Sequence, residues 1–305
     1  MKLNAKRLMG KIWDSRELYI LLFLPILWYL IFLYVPMYGI QIAFRDYWTQ
    51  KGFFGSEWVG WYHFQRYFES FYFTRLLQNT LVINGLSLLV GFPIPIILAL
   101  ILNELTNLTF KKILQNITYI PHFLSTVVLV SILQMIFNPN TGVYNLVRMS
   151  MGMDTTNYFA SATAFKPLYI LSGVWQNMGW DSILYIAALA GIDPTLYEAA
   201  TIDGASRFQK MKFISIPSIM GTITIMLLLR CGHIMNIGYE KILLMQNDLN
   251  RSSSDVISTY VYRSGIQEGN YSFATAVNLF NSVCNIILLV LANSFSRKLG
   301  EASLW

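Results

Sequence analysis

Few side chains in this chain of 305 residues have the types and spacing that catalysis or metal binding requires. There is no glycine-rich loop ending in Gly-Lys-Ser/Thr and no His-Glu-x-x-His pair. The three histidines, His63, His122 and His233, stand far apart, and the two cysteines, Cys231 and Cys284, fall in apolar stretches. The sequence therefore predicts a protein without catalytic residues, metal ligands or a disulfide framework.

Residues 193–217 form the longest polar stretch with helical character. Asp193 before a proline is typical of a helix start, because the carboxylate caps free amides and proline there loses no needed donor. Gly204 supplies the backbone freedom that ends this helix, and Ser206 with Gln209 predicts a capping box for the next one. A helix this short is marginal alone, since roughly a dozen residues are needed. We therefore expect a partner to hold it.

Two charged residues, Asp181 and Arg230, fall inside apolar runs, where charges usually face an interior or a cavity. At about 1.5 Å per residue, Asp181 lies about 20 Å and Arg230 about 10 Å below the external ends of their helices, which argues against an ion pair. Aromatic and amide groups near Asp181 would suit sugar rings and hydroxyls, although hydrogen bonding between packed helices is the favoured explanation of such polar groups. The candidate pathway residues are Trp175, Gln176, Asn177, Trp180, Asp181 and Arg230.

Composition and apolar runs define the fold class. Hydrophobic residues make up 55% of the chain and charged residues only 12%, which is typical of a polytopic membrane protein. The net charge of +6 is interpreted as a topological signal, because no basic and aromatic cluster indicates nucleic-acid binding. We predict an all-α polytopic membrane protein with six transmembrane helices. The expected spans are residues 18–44, 76–102, 113–137, 168–189, 214–237 and 274–295.

Lysine and arginine are modestly enriched on one side when both termini are placed in the cytoplasm. Residues 1–17 and 297–305 are then cytoplasmic tails, and the loop 193–217 faces the cytoplasm as well. The first apolar run is too long for a signal-peptide core and lacks a cleavage site, so it should remain as a helix.

Three external loops are expected, at residues 45–75, 138–167 and 239–273. The first carries an aromatic stretch typical of the membrane interface, the second is irregular, and the third has helical spacing around residues 257–261. Kinks are expected where glycine and proline interrupt the spans, at Gly91, Pro93, Pro95, Pro121 and Pro217.

The loop 193–217 resembles the EAA loop of binding-protein-dependent ABC importer permeases. The resemblance rests on Glu198-Ala199-Ala200, on Asp203-Gly204-Ala205 and on a final Ile-Ser-Ile-Pro, where Ile216 replaces the usual leucine. An accidental match in an amphipathic connector is the alternative. The resemblance implies that this loop is a coupling helix docked in a cytoplasmic ATPase. The implied coupling residues are Tyr197, Glu198, Ala199, Ala200, Asp203, Gly204, Ala205, Arg207 and Pro217.

Further segments resemble the LplB-like oligosaccharide permease subfamily, so the resemblance covers nearly the whole chain. They begin at Tyr34, Trp58, Thr259 and Tyr271, and the last is the terminal Ser303-Leu304-Trp305. The resemblance implies a type I importer (MetI-like) fold in a bacterial cell membrane, with a five-helix core at residues 72–296. It also implies a second homologous permease, an extracellular lipoprotein that binds the solute, and two ATPase subunits, often shared between systems, that bind ATP and Mg²⁺.

Two alternatives remain at this stage. A permease for a non-sugar solute would share the same loop, whereas a six-span membrane enzyme or channel would have no need of it.

Overall fold

The computed structural model describes residues 13–298 and 302–304, where every regular element is a helix apart from one pair of two-residue strands. Three helical runs are long and apolar enough to cross a membrane by themselves: Arg16–Phe44, Phe73–Asn103 and Tyr271–Lys298. Three bent pairs of helices meet the same test together, which gives up to six spans. The predicted all-α membrane fold is confirmed. Residues 1–12, 299–301 and 305 of the expected tails lie outside the described residues.

The first span contains α1 (Arg16–Tyr29), a π-helical turn (Leu30–Tyr34), α2 (Val35–Met37) and a 3₁₀ helix (Tyr38–Phe44). Its most apolar part buries no residue against the rest of the chain. The segment that follows contains β1 (Arg45–Asp46), α3 (Gly52–Gly55), β2 (Glu57–Trp58) and α4 (Tyr62–Phe68). The two strands pair antiparallel, with Arg45 opposite Trp58.

The second span contains α5 (Phe73–Gly91) and α6 (Pro93–Asn103), and the proline starts the new helix as expected. The third contains α7 (Leu108–Tyr119), a 3₁₀ helix (Ile120–Phe123) and α8 (Thr126–Ile136). The two parts of the third span meet at 102°, which is a break and not the kink that Pro121 predicted. Ser125 caps α8 by accepting a hydrogen bond from the Val128 amide.

The loop 138–167 is more ordered than expected, because it contains α9 (Val143–Ser150). The side-chain amide of Asn145, in this helix, is fully buried and donates to the carbonyls of Asn138 and Thr156. The fourth span, α10 (Ala162–Ala190), also starts earlier than predicted.

The prediction of a helix, a glycine turn and a second helix within residues 193–217 is confirmed. It consists of α11 (Pro194–Ile202), α12 (Arg207–Lys210) and a π-helical turn (Met211–Ser215), followed by α13 (Ile216–Ser218) and α14 (Met220–Cys231). The fifth span bends by 61° just after Pro217. Its helix ends at Cys231 and not at residue 237 as predicted.

The last part of the chain contains α15 (Tyr239–Met245), α16 (Arg251–Ser254), α17 (Ile257–Tyr262), a π-helical turn (Arg263–Gln267) and the sixth span, α18 (Tyr271–Lys298). The helix α17 confirms the helical spacing read around residues 257–261.

The fourth span packs against the second and third at close range. Tyr185 and Leu189 of α10 share a core cluster with Ala99 and Leu100 of α6. At Gly179 the approach is closest, because an added Cβ would lie 2.1 Å from the Thr118 carbonyl oxygen of α7. This packing sets the rotation of α10 about its axis. As a result, a polar face of α10 is directed toward the second and fifth spans.

Candidate functional site

A polar cavity of about 390 Å³ lies between α5, α10, the end of α14 and the segment from residue 236 to α15. Four of the predicted pathway residues line it: Gln176, Asn177, Asp181 and Arg230. Its size falls within the range of about 300–1,000 Å³ that small-molecule sites usually have. The cavity is polar in a bundle whose surroundings are apolar.

Asp181 and Arg230 form an ion pair inside the cavity, with the Arg230 Nη2 donating to the Asp181 Oδ2. The sequence-based expectation that they do not pair was wrong. It assumed two straight helices that both reach the external surface. In the structure, α14 ends at Cys231, so the chain beyond Arg230 never continues outward as a helix.

The irregular residues 232–238 stay inside the bundle, where two asparagines of the last helix hold them. Asn281 and Asn285 both donate through Nδ2 to Asn236 Oδ1, at 3.0 and 2.9 Å. Asn285 also accepts from the Met235 amide at 2.9 Å. Both asparagines lie about 15–20 Å beyond the start of α18 at about 1.5 Å per residue. Arg230 is therefore held at the depth of Asp181.

The two tryptophans predicted for the pathway do not line this cavity. Trp180 stacks on the His122 ring with centroids 4.4 Å apart, and His122 Nδ1 lies 3.0 Å from Asn177 Oδ1. Trp175 is 44% exposed. The tryptophans are therefore beside the cavity wall, and His122 has a packing and hydrogen-bonding role there.

Four further polar residues line the cavity that the sequence did not single out: Asn84, Ser87, Asn236 and Lys241. The Asn84 Nδ2 is buried without a hydrogen-bond partner among the described residues, an arrangement that is rare in folded proteins. These residues come from three other segments of the chain. An intramembrane asparagine is a usable signal in a sequence, but spacing alone cannot show which face it occupies.

Lys241 lies in α15, between the fifth and sixth spans. Its Nζ donates to the Tyr169 carbonyl at 3.1 Å and stands 4.7 Å from the centroid of the Tyr169 ring. Burial lowers the pKa of Lys241 to about 8, because desolvation disfavours the ammonium.

The loop 193–217 is capped at both ends of α11. The Asp193 carboxylate accepts from the Thr195 amide at 2.9 Å, and this hydrogen bond lowers the pKa of Asp193. At the other end Gly204 has φ +77°, and its amide and that of Ala205 donate to the carbonyls of Thr201 and Ala200. This pair of bonds is a Schellman motif, which requires a left-handed residue at the glycine.

Side-chain hydrogen bonds brace the same loop against the fifth span. The Tyr197 hydroxyl lies 2.9 Å from the fully buried Ser215 Oγ, and Lys210 Nζ donates to Thr201 Oγ1 at 2.7 Å. Ser206 and Gln209 form the predicted capping box. The helix α11 is therefore tied to the π-helical turn that leads into the fifth span.

The predicted coupling residues divide by exposure. Tyr197, Ala200 and Ala205 are partly buried, whereas the exposed residues are Glu198, Ala199, Asp203, Gly204, Arg207 and Pro217. Four large apolar side chains of this loop that the sequence did not single out are also exposed, most of all Ile202 at 87% and Phe208 at 71%, with Leu196 and Phe213 beside them. Apolar exposure beside charged groups is typical of a protein-binding surface.

Among residues 13–298 and 302–304, no group of three or more His, Cys, Asp or Glu side chains could hold a metal ion.

Comparison with known proteins gives one family. The model of the family described as "Binding-protein-dependent transport system inner membrane component" matches residues 91–301. The chain is similar to protein LplB of Bacillus subtilis, with 45% identity over 95% of this chain and 92% of that protein. It is also similar to the Bacillus subtilis polygalacturonan/rhamnogalacturonan transport system permease protein YteP, with 41% identity over 100% and 95% of the two chains.

The chain is also similar to chains of two solved transporter structures. A bacterial ABC transporter involved in the import of the acidic polysaccharide alginate contains a chain with a TM-score of 0.87 and 41% identity. The match covers 96% of this chain and 99% of that one. A second structure is of a bacterial alginate ABC transporter in complex with an alginate pentasaccharide-bound periplasmic protein. Its matching chain has a TM-score of 0.88 and 40% identity, over 98% and 100% of the two chains.

Proposed function

The chain belongs to the family of binding-protein-dependent transport system inner membrane components, and we propose that its polar cavity is the substrate pathway, driven through the loop 193–217. The chain is a non-catalytic permease subunit of an ABC transporter for oligosaccharides or glycan fragments. ATP hydrolysis belongs to separate subunits of such transporters.

The observation that carries the pathway proposal is the Asp181–Arg230 ion pair facing a cavity inside an apolar bundle. Placing a charged side chain inside a membrane is energetically unfavourable, and the charged side chains found there usually mark substrate routes. Gln176, Asn177 and Asn84 add amide groups that can bind sugar hydroxyls. Trp175 and Trp180 do not line the cavity, so we assign them no direct contact with the substrate there.

The coupling proposal rests on the rigid capped loop and its exposed Glu198, Ile202 and Phe208. An ATPase cleft would cover the apolar side chains and pair with the carboxylate. The Tyr197–Ser215 contact would transmit the displacement of the loop to the fifth span.

The assembly that we propose lies in a bacterial cell membrane, with both termini in the cytoplasm and residues 72–296 as the permease core. It contains a second homologous permease, two cytoplasmic ATPase subunits that bind ATP and Mg²⁺ and can serve several systems, and an extracellular lipoprotein that delivers the solute. The complex of the alginate transporter with its periplasmic protein supports the last of these partners.

The test is oligosaccharide uptake by cells, divided by the abundance of the permease in the membrane. Asn84→Ala removes a cavity amide whose Nδ2 has no partner in the described structure, so it should lower uptake without lowering abundance. The matched control is Leu89→Ala, on the same helix with 72% exposure. Equal uptake per molecule in both variants, and also in Asp181→Asn, would contradict the assignment of the pathway.

A further inference from the structure

Within the described part of the chain, a partly buried lysine ammonium in the cavity has no acidic partner. Lys241 has no Asp or Glu oxygen within 4.0 Å among the described residues, and its one protein hydrogen bond goes to a neutral carbonyl. An ammonium has three N–H donors, so two remain for other partners. Burying a charge is unfavourable unless it is paired, so an anion bound here would stabilise the ammonium.

The charges of the cavity lining do not balance. Arg230 and Asp181 neutralise each other, and the other lining residues apart from Lys241 are uncharged. Lys241 therefore leaves one excess positive charge in the space. Gly173 of the fourth span lies beside the ammonium, since an added Cβ there would be 3.5 Å from Nζ, in ordinary contact.

We propose that Lys241 binds a carboxylate of the substrate, so that the permease selects oligosaccharides that contain acidic sugar units. This inference rests on the proposed function of the cavity as the substrate pathway. The ammonium would hold the carboxylate, while Asn84 and Asn177 would bind neighbouring hydroxyls. A carboxylate supplied by the partner permease is the competing source of the anion, and the experiment separates the two.

The experiment uses the complete transporter reconstituted with its ATPase and binding protein. The probes are trimers of galacturonic, guluronic and mannuronic acid, the methyl ester of each, and neutral trimers of galactose and glucose. Substrate-stimulated ATP hydrolysis and direct binding to the detergent-solubilised complex are measured for the wild type, Lys241→Met, Lys241→Arg and Lys51→Met. Lys51 is an exposed lysine outside the cavity.

In the wild type we expect at least one acidic trimer to bind about 10- to 100-fold more tightly than its ester, as a charge-assisted hydrogen bond in a partly buried site predicts. Lys241→Met should reduce that ratio to about twofold, while Lys241→Arg and Lys51→Met should retain it. Methionine keeps the apolar stem, so the fold should survive.

Three results would overturn the inference. An acid-to-ester ratio unchanged in Lys241→Met would remove the lysine from recognition. Two outcomes in Lys241→Met would indicate that Lys241 contacts the partner permease and not the substrate. One is loss of complex assembly, and the other is an equal loss of binding for acidic and neutral trimers. Tight binding of neutral trimers alone would leave the proposed oligosaccharide pathway standing without acid selection. If no trimer binds or stimulates hydrolysis in any form, the proposed function itself fails together with the inference.

Discussion

Replacing Gly204 by valine tests whether the capped loop drives transport. Gly204 has φ +77°, and an added Cβ there would meet nothing within 4 Å. The penalty is therefore conformational and not steric. A left-handed conformation is unfavourable for a side-chain-bearing residue by about 1–2 kcal/mol. That free energy corresponds to a decrease of roughly 5- to 30-fold in the ratio of capped to uncapped loop.

The assay is oligosaccharide-stimulated ATP hydrolysis by the reconstituted transporter, together with a pull-down of the ATPase on the permease. We expect Gly204→Val to insert normally and to lose stimulation by as much as about 5- to 30-fold, the full factor applying where the uncapped loop predominates. Gly204→Asn is the matched control, because asparagine tolerates the left-handed region and should stay close to the wild type. Glu198→Ala should have a milder defect, since it removes an exposed charge without changing the backbone.

Normal stimulation and normal ATPase retention in Gly204→Val would refute the coupling role of the loop. A loss of the same size in Gly204→Asn would instead show that the glycine is needed for contact with the ATPase and not for its conformation.

Three further predictions concern packing, bracing and pH. Gly179→Ala should sharply lower membrane abundance, because the new Cβ would lie 2.1 Å from the Thr118 carbonyl oxygen. The control Gly85→Ala, whose Cβ would meet no atom within 4 Å, should keep the wild-type abundance. Equal abundance of the two variants would contradict the close approach. Tyr197→Phe should lower stimulated hydrolysis by a few-fold, since one hydrogen bond contributes about 0.5–1.5 kcal/mol, and Ser215→Ala should add little in that background. Additive losses would show that the two hydroxyls act separately. Because burial lowers the pKa of Lys241 from 10.5 to about 8, its ammonium is present below pH 8 and is lost as the pH rises through that value. The ratio of ATP hydrolysis stimulated by acidic trimers to that stimulated by neutral trimers should fall as the pH rises through 8, and it should stay constant in Lys241→Met. Tyr169, Asp181 and Arg230 share the surroundings of Lys241. A fall that persists in Lys241→Met would therefore assign the titration to another group.

The local features of the loop 193–217 were predictable from the sequence. Asp193, Gly204 and the Ser206–Gln209 pair act within three or four residues of the chain, so their spacing determines the hydrogen bonds directly. The six apolar runs were predictable for a similar reason, because length and composition decide whether a helix can cross a membrane.

The cavity could not be predicted in the same way. Its wall joins residues that are far apart in the chain, as the Lys241 contact with Tyr169 and the pair of Asp181 with Arg230 show. The depth estimate for Arg230 failed because it took the fifth span as straight and continuous. A tertiary contact, the hold of Asn285 on Met235, decides where that segment stops.

The hold of the last helix on residues 232–238 also limits how the cavity can open. If this segment slid independently of α18, the Met235 amide and the side-chain amides of Asn281 and Asn285 would lose their partners in an apolar bundle. Each polar group left without a hydrogen bond in such surroundings destabilises the structure by several kcal/mol. Movement of this segment apart from the last helix is therefore unfavourable. The Asp181–Arg230 ion pair joins α10 to α14 across the cavity, so any change that separates these two helices must break it.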